Sequence, residues 1–174
     1  IKNANNPLIL DVGTGSGCIA ITIALEIPSS TIIAIDIDER AIAVAKNNIE
    51  KHEVKNIEFI VTDIFHEKIK KKVDMLISNP PYIAKEEVPG LMKEVKDYEP
   101  LVALTDNNDG LKFYRRFAEI IPRILKVNGT AIMEVGIEDH PDRVEEIFRE
   151  CGFNDIRTEL DFNKDKRALI IKNK

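Results

Sequence analysis

A chain of 174 residues suits one domain of ordinary size, long enough to bury about 70% of its unfolded surface. With 44% hydrophobic and 32% charged residues it has the composition of a soluble globular protein, and its longest apolar run, from Cys18 to Leu25, falls far short of the ~20 residues that span a bilayer. The net charge of −5 argues against a dedicated nucleic-acid binder, although Lys68, Lys70, Lys71 and Lys72 form one basic run that reads as a solvated face. Cys18 and Cys151 sit in no CxxC, and His52, His66 and His140 are scattered, so reduced thiols, no metal site and a cytoplasmic location are expected. The sequence opens on Ile1 and a polar lead-in to Pro7, and reads as a piece of something longer.

Strand-like and helix-like segments alternate along the chain. Residues 8–12 form a short apolar run that ends in glycines, and 17–27 have helical length and apolar density. Residues 31–37 are isoleucine-rich, as a buried strand should be. Residues 39–52 form an amphipathic pattern with Ala41, Ile42, Ala45 and Ile49 on one side. Strands follow at 57–61 and 73–78, then a long charged, proline-containing loop at 83–109, of the kind that serves as a lid or binding loop. A helix over 111–125, a strand over 129–135 and a helix over 138–151 stopped by Gly152 come next. Strands at 153–161 and 168–171, joined by 162–167 with no helix between them, predict an antiparallel hairpin at one edge of an otherwise parallel α/β sheet.

Four strand ends carry polar chemistry. The first runs into Asp11-Val12-Gly13-Thr14-Gly15-Ser16-Gly17, where glycines permit a tight turn and close approach of a ligand. The spacing is GxGxG; a dinucleotide loop wants its third glycine where Cys18 stands. This favours S-adenosylmethionine over a nicotinamide cofactor. Asp11 is expected either to orient the loop or to meet the methionine amino group. Asp36, with Ile37 beside it, ends the second strand, where an acid accepts both ribose hydroxyls; Asp38 is the expected cap of the following helix. After the third strand, Asp63 and Ile64 are placed either to bracket an adenine or simply to make a turn.

The fourth end is Asn79-Pro80-Pro81-Tyr82. Two prolines stop a sheet ladder, leaving an asparagine amide, carbonyls without partner N–H groups and an aromatic ring. Such a set holds a flat NH2 group: two acceptors take its two N–H bonds and the ring lies against the plane. Read alone, the tetrapeptide is equally a turn.

With these residues in place, the layout resembles the class I S-adenosylmethionine-dependent methyltransferase fold: Rossmann-like, with a mostly parallel seven-stranded sheet, an antiparallel C-terminal hairpin and helices on both faces. The chain more specifically resembles the protein-glutamine methyltransferases that act on peptide-chain release factors. The resemblance rests on the glycine loop, Asp36 and Ser78-Asn79-Pro80-Pro81-Tyr82-Ile83. It continues through Tyr98-Glu99-Pro100 with Ala103-Leu104, Asp109-Gly110-Leu111, Glu134-Val135-Gly136, and Asp161 with Arg167. Ile137-Glu138-Asp139 departs from the family, which usually has a glutamine nearby, and the family's N-terminal helical docking domain has no counterpart in the six residues before Pro7. A single catalytic domain over residues 1–174 is expected.

The resemblance implies methyl transfer to the glutamine of a Gly-Gly-Gln loop, with S-adenosylhomocysteine as product, no metal, a release factor as protein partner, no stable nucleic-acid or membrane binding, and a monomer. Asn79, Pro80 and Tyr82 are the expected catalytic residues, and Pro81 joins them in binding substrate. The cofactor falls to Asp11, Gly13, Thr14, Gly15, Ser16, Gly17, Asp36, Ile37, Asp63, Ile64 and Asn79. The rival readings are an adenine exocyclic-amine methyltransferase on DNA or rRNA, a ribosomal-protein glutamine methyltransferase, and a cofactor-binding module without activity.

Overall fold

The computed structural model describes residues 5–66 and 69–174, so Lys68 of the basic run lies outside the described residues, while Lys70, Lys71 and Lys72 are exposed. Seven strands form one mixed sheet in the order β3-β2-β1-β4-β5-β7-β6. They are β1 (Leu8–Val12), β2 (Thr31–Asp36), β3 (Ile57–Val61), β4 (Val73–Ser78), β5 (Leu125–Glu134), β6 (Ile156–Leu160) and β7 (Lys166–Lys172). The helices are α1 (Cys18–Glu26), α2 (Glu39–Lys51), α3 (Lys93–Tyr98), α4 (Leu101–Leu104), α5 (Lys112–Ile124) and α6 (His140–Glu150). No helix among the described residues is long and apolar enough to cross a membrane. The chain divides into two compact units: Ile1–Asn79 with Arg123–Ile132 and Lys172–Lys174, and Pro80–Pro122 with Met133–Ile171.

In the first unit β1 runs parallel to both β2 and β4, and β2 parallel to β3. Ile9, Ile32 and Ala34 are fully buried and pack with Ala20, Ile21 and Ala24 of α1 and with Val54. Such apolar burial is worth roughly 1.5–3 kcal/mol per large side chain. The α2 pattern is realised as read: Ile42 and Ala45 are buried, and Asp38 caps the helix by accepting the Arg40 N–H at 2.9 Å. At the other end of the strands, Asp74 accepts the Leu8 N–H and the Lys126 ammonium, both at 2.8 Å, tying β1, β4 and the start of β5 together.

In the second unit the hairpin is antiparallel as expected, with a register shift between Glu159 and Leu160. Tyr114, Phe117 and Ile121 of α5, Val144 and Phe148 of α6, and Leu169 and Ile171 of β7 are fully buried. The segment expected as one irregular loop instead holds a 3-10 turn (Val88–Gly90) and the short helices α3 and α4. It is anchored at both ends. Ile83 bridges Thr105, the Lys85 N–H donates to the Asn108 carbonyl at 2.8 Å, and Asp106 accepts from the N–H groups of Asn108, Gly110 and Lys112.

Gly110 takes the left-handed φ of +77°, and a Cβ there would stand 2.2 Å from the Tyr82 carbonyl oxygen. Gly90 has open space where its Cβ would be. Gly110→Ala is therefore expected to lower stability by about 3 kcal/mol or more, and Gly90→Ala to change it by less than about 1 kcal/mol. Urea unfolding of the two variants side by side checks this; equal effects would mean that the Tyr82–Gly110 approach is not tight.

Candidate active site

The strand ends of the first unit are level. Val12 is paired with Ile35 and with Ser78, whose hydroxyl donates to the Val12 carbonyl at 2.7 Å. The glycine loop begins one residue later. Gly13 and Thr14 both donate their N–H to the Ile35 carbonyl, at 2.8 and 3.0 Å. Gly13, Gly15 and Gly17 have φ of +70°, +56° and +81°, so each odd position of GxGxG uses the conformation glycine adopts freely. Gly17 is small for a second reason: a Cβ there would lie 3.2 Å from that of Ala45. The Ser16 carbonyl is held from α2 by the Asn48 amide at 3.0 Å. A Cβ on Gly13 would lie 3.9 Å from the Asn79 carbonyl oxygen, so the exposed Asn79 at the end of β4 sits beside the loop.

Asp11 is the most deeply buried polar group of this rim. It is 1% exposed; Oδ2 accepts the Thr14 hydroxyl at 2.6 Å, and Oδ1 is buried with no hydrogen-bond partner. Burial pushes its pKa from 3.8 up to about 6; the Thr14 hydroxyl and the Ala20 N–H pull the other way, and the charge of Asp36 adds to the rise. Both expected roles of Asp11 are compatible with this geometry, since one oxygen orients the loop and the other remains for a cation.

Asp36 grips the loop as well: Oδ2 accepts the Gly15 N–H at 2.8 Å and Oδ1 the Asp38 N–H at 2.9 Å. Each oxygen keeps a further lone pair for a hydroxyl donor. Ile37, next along the chain, is 56% exposed, an apolar surface available to a flat ring. Asp63 makes the turn that was its alternative reading, with Oδ1 accepting the Phe65 N–H at 2.9 Å, while Oδ2 lies 2.7 Å from His66 Nδ1. Ile64 is 4% exposed and belongs to the buried apolar set. The orphaned Asp11 oxygen, the open glycine loop and the Asp36 carboxylate together fit a cationic nucleoside.

In the second unit Tyr82 is surrounded by residues the sequence reading left out of the site. Its hydroxyl donates to Glu134 Oε1 at 3.3 Å, and Arg167 reaches the same oxygen at 3.1 Å. Arg167 also donates to the Val135 carbonyl at 3.1 Å, with its guanidinium carbon 5.8 Å from the Tyr82 ring centre. His140 stands 5.9 Å from the Tyr82 ring and 5.3 Å from the buried Tyr114 ring. Its Nδ1 accepts the Gly136 N–H at 3.1 Å and its Nε2 faces the Gly110 carbonyl at 3.3 Å, so it is a neutral imidazole whose pKa burial holds below the usual value. The sequence signal existed in Glu134-Val135-Gly136 and in Arg167, but as family elements rather than as neighbours of Tyr82.

A seven-stranded sheet with an antiparallel C-terminal hairpin, a glycine loop after its first strand and an acid after its second is the class I methyltransferase fold. The chain belongs to the methyltransferase domain family, which it matches over residues 4–168. It is 43% identical over 171 residues to the release factor glutamine methyltransferase of Bacillus subtilis, covering 95% of this chain and 59% of that one. It is 39% identical over 173 residues to the release factor glutamine methyltransferase of Fusobacterium nucleatum, covering 99% of this chain and 49% of that one. The chain thus spans half to three-fifths of the length of these curated relatives. A methyltransferase from Pyrococcus furiosus shares the fold at a TM-score of 0.71 and 16% identity, over 97% of this chain and 75% of that one.

Asp11 gives the site a pH signature. A carboxyl whose folded pKa is raised binds its proton more tightly in the folded state, so stability is present at low pH and declines as pH rises from 3.8 through about 6. That interval is worth roughly 3 kcal/mol at about 1.4 kcal/mol per pH unit. Asp11→Asn removes the titration, so its stability relative to the parent should rise by this amount between about pH 4 and pH 7. Urea midpoints across that range test it, and a parallel course for the two proteins would show that Asp11 ionises at an ordinary pH.

Proposed function

We propose that this chain is a single catalytic domain that transfers a methyl group from S-adenosylmethionine to the side-chain amide nitrogen of the Gly-Gly-Gln glutamine of peptide-chain release factors. The observation that carries the reading is Asn79: an exposed asparagine at the end of β4, beside the glycine loop and followed by two residues with no N–H. The similarity to release factor glutamine methyltransferases over nearly the whole chain supports glutamine as the acceptor.

Each rim residue then has a task. The free Asp11 oxygen receives the ammonium of the cofactor's methionine moiety, and the remaining lone pairs of Asp36 receive the ribose hydroxyls. Ile37 covers the base, Asp63 stands near its exocyclic amine and Ile64 against its ring face, while the backbone of Gly13 to Gly17 admits the chain between. When bound, the sulfonium supplies an electrophilic methyl group. The Asn79 side-chain oxygen and the Pro80 carbonyl accept the two N–H bonds of the substrate amide, Pro81 joins them in binding it, and the Tyr82 ring packs against its plane. Holding both N–H bonds raises electron density on a nitrogen whose lone pair is otherwise delocalised into its carbonyl, and fixes it for in-line attack. The amide proton leaves to water after the N–C bond has formed, so no strong base is required first.

Asn79→Ala should cut methyl transfer by about 10²–10³-fold with cofactor affinity changed by less than about threefold. Asp36→Ala should weaken cofactor binding by about tenfold or more, because a charged acceptor of two hydroxyls and of the Gly15 N–H is lost. Titration calorimetry and a labelled-methyl assay on purified release factor, a ribosomal-protein fraction and adenine-containing nucleic acid, with mass-spectrometric mapping, check both. Label on the Gly-Gly-Gln glutamine supports the reading, label on adenine moves the same Asn79 geometry to a base, and unchanged turnover of Asn79→Ala overturns the mechanism.

A further inference from the structure

Glu134 and Arg167 lie on neighbouring strands, β5 and β7, and converge on a single side chain. Arg167 Nη2 is 3.1 Å from Glu134 Oε1 and 3.5 Å from the Tyr82 hydroxyl, which itself donates to that carboxylate oxygen at 3.3 Å. The guanidinium also covers the ring, 5.8 Å from its centre, while Nη1 is anchored on the Val135 carbonyl and Nε stands 3.9 Å from Asp161. Glu134 is fixed in turn, because the fully buried Tyr114 donates its hydroxyl to the Glu134 carbonyl at 2.7 Å. Tyr82 is thus held at its hydroxyl by a carboxylate and across its face by a cation.

An ion pair about one-third exposed on each side contributes little stability by itself. Stabilising the hairpin also needs no tyrosine hydroxyl. What the arrangement does achieve is one orientation of the Tyr82 ring. A guanidinium does this where an ammonium would not, since its planar fork bonds Glu134 and Val135 at once while its carbon stands over the ring.

Resting on the reading of Tyr82 as the residue that packs against the acceptor, we propose that Glu134 and Arg167 are positioning residues for methyl transfer, acting through the Tyr82 ring. Neither touches the reacting atoms. Losing either leaves cofactor binding intact and loosens the acceptor pocket.

Arg167→Lys and Glu134→Gln keep size and polarity but lose the fork or the charge. Each should lower kcat by about tenfold to a hundredfold, as expected for a misplaced positioning group, with cofactor affinity within about twofold. Tyr82→Phe removes the shared hydroxyl, and the double variant Tyr82→Phe with Arg167→Lys should lose less than the product of the single losses, because both act through one ring. Losses that multiply, or an unchanged kcat in both single variants, overturn the proposal. A second readout needs no acceptor: the chain has three tyrosines and no tryptophan, so ring-labelled tyrosine spectra resolve Tyr82. A single ordered ring in the parent and an averaging ring in Arg167→Lys support the proposal; an equally ordered ring in the variant overturns it. Kinetics use whichever acceptor the parent protein methylates, so label on adenine would retire the glutamine reading and leave this test standing.

Discussion

Val12 lies opposite Ile35 on one side and Ser78 on the other, and that parallel register is the constraint from which the rim follows. A slip of one residue in this ladder exchanges the side chains packed on its two buried faces, so the fit of Ile9, Ile32 and Leu76, all fully buried, fixes where the three strands stop. The loop is then built on the fixed end. The Ile35 carbonyl takes two N–H groups from Gly13 and Thr14, and Asp36, one residue on, takes the N–H of Gly15. The hydrophobic core below the rim and the polar loop above it are therefore one construction: burial sets the register, and the register sets which carbonyl and which carboxylate meet the glycines.

Asp11 shows what the same burial does to an ionisable group. It lies on β1, one residue before the strand's end, inside the sheet rather than on its edge, and its Oδ2 accepts the Thr14 hydroxyl while its Oδ1 is buried without a hydrogen-bond partner. A structure selected only for stability has no reason to keep an ionisable group there, since an amide or an apolar residue avoids the desolvation.

Much of this was legible in residue order. The strand ends at Val61 and Ser78, the Asp38 cap and the unpaired hairpin were all readable because each has a local cause: a β-branched run, a proline pair, a carboxylate before a helix. Three things were not. The strand expected to start at Gly129 starts at Leu125, since Asn128 and Gly129 are drawn into the ladder by Asn173, 45 residues further on. The helices α3 and α4 are six and four residues long with no side-chain caps, too short to show a period. Glu134 and Arg167 read as separate family elements, one on a strand and one at the end of the connection before the last strand; only the fold reveals that both face Tyr82.

The surroundings of Tyr82 also bear on what kind of chemistry the second unit offers. His140 is the histidine at hand, 5.9 Å from the ring, and both its nitrogens are engaged with main-chain groups of Gly136 and Gly110. A Cβ on Gly136 would come within 3.1 Å of the imidazole, so it is the glycine that leaves room for the histidine. Tyr114 is likewise committed to the Glu134 carbonyl, and Glu134 to Tyr82 and Arg167. His140, Tyr114, Glu134 and Arg167 are each engaged in holding a neighbour in place. That is the architecture of orientation, and it suits a reaction in which the acceptor nitrogen must be aimed and polarised before it attacks but loses its proton only afterwards.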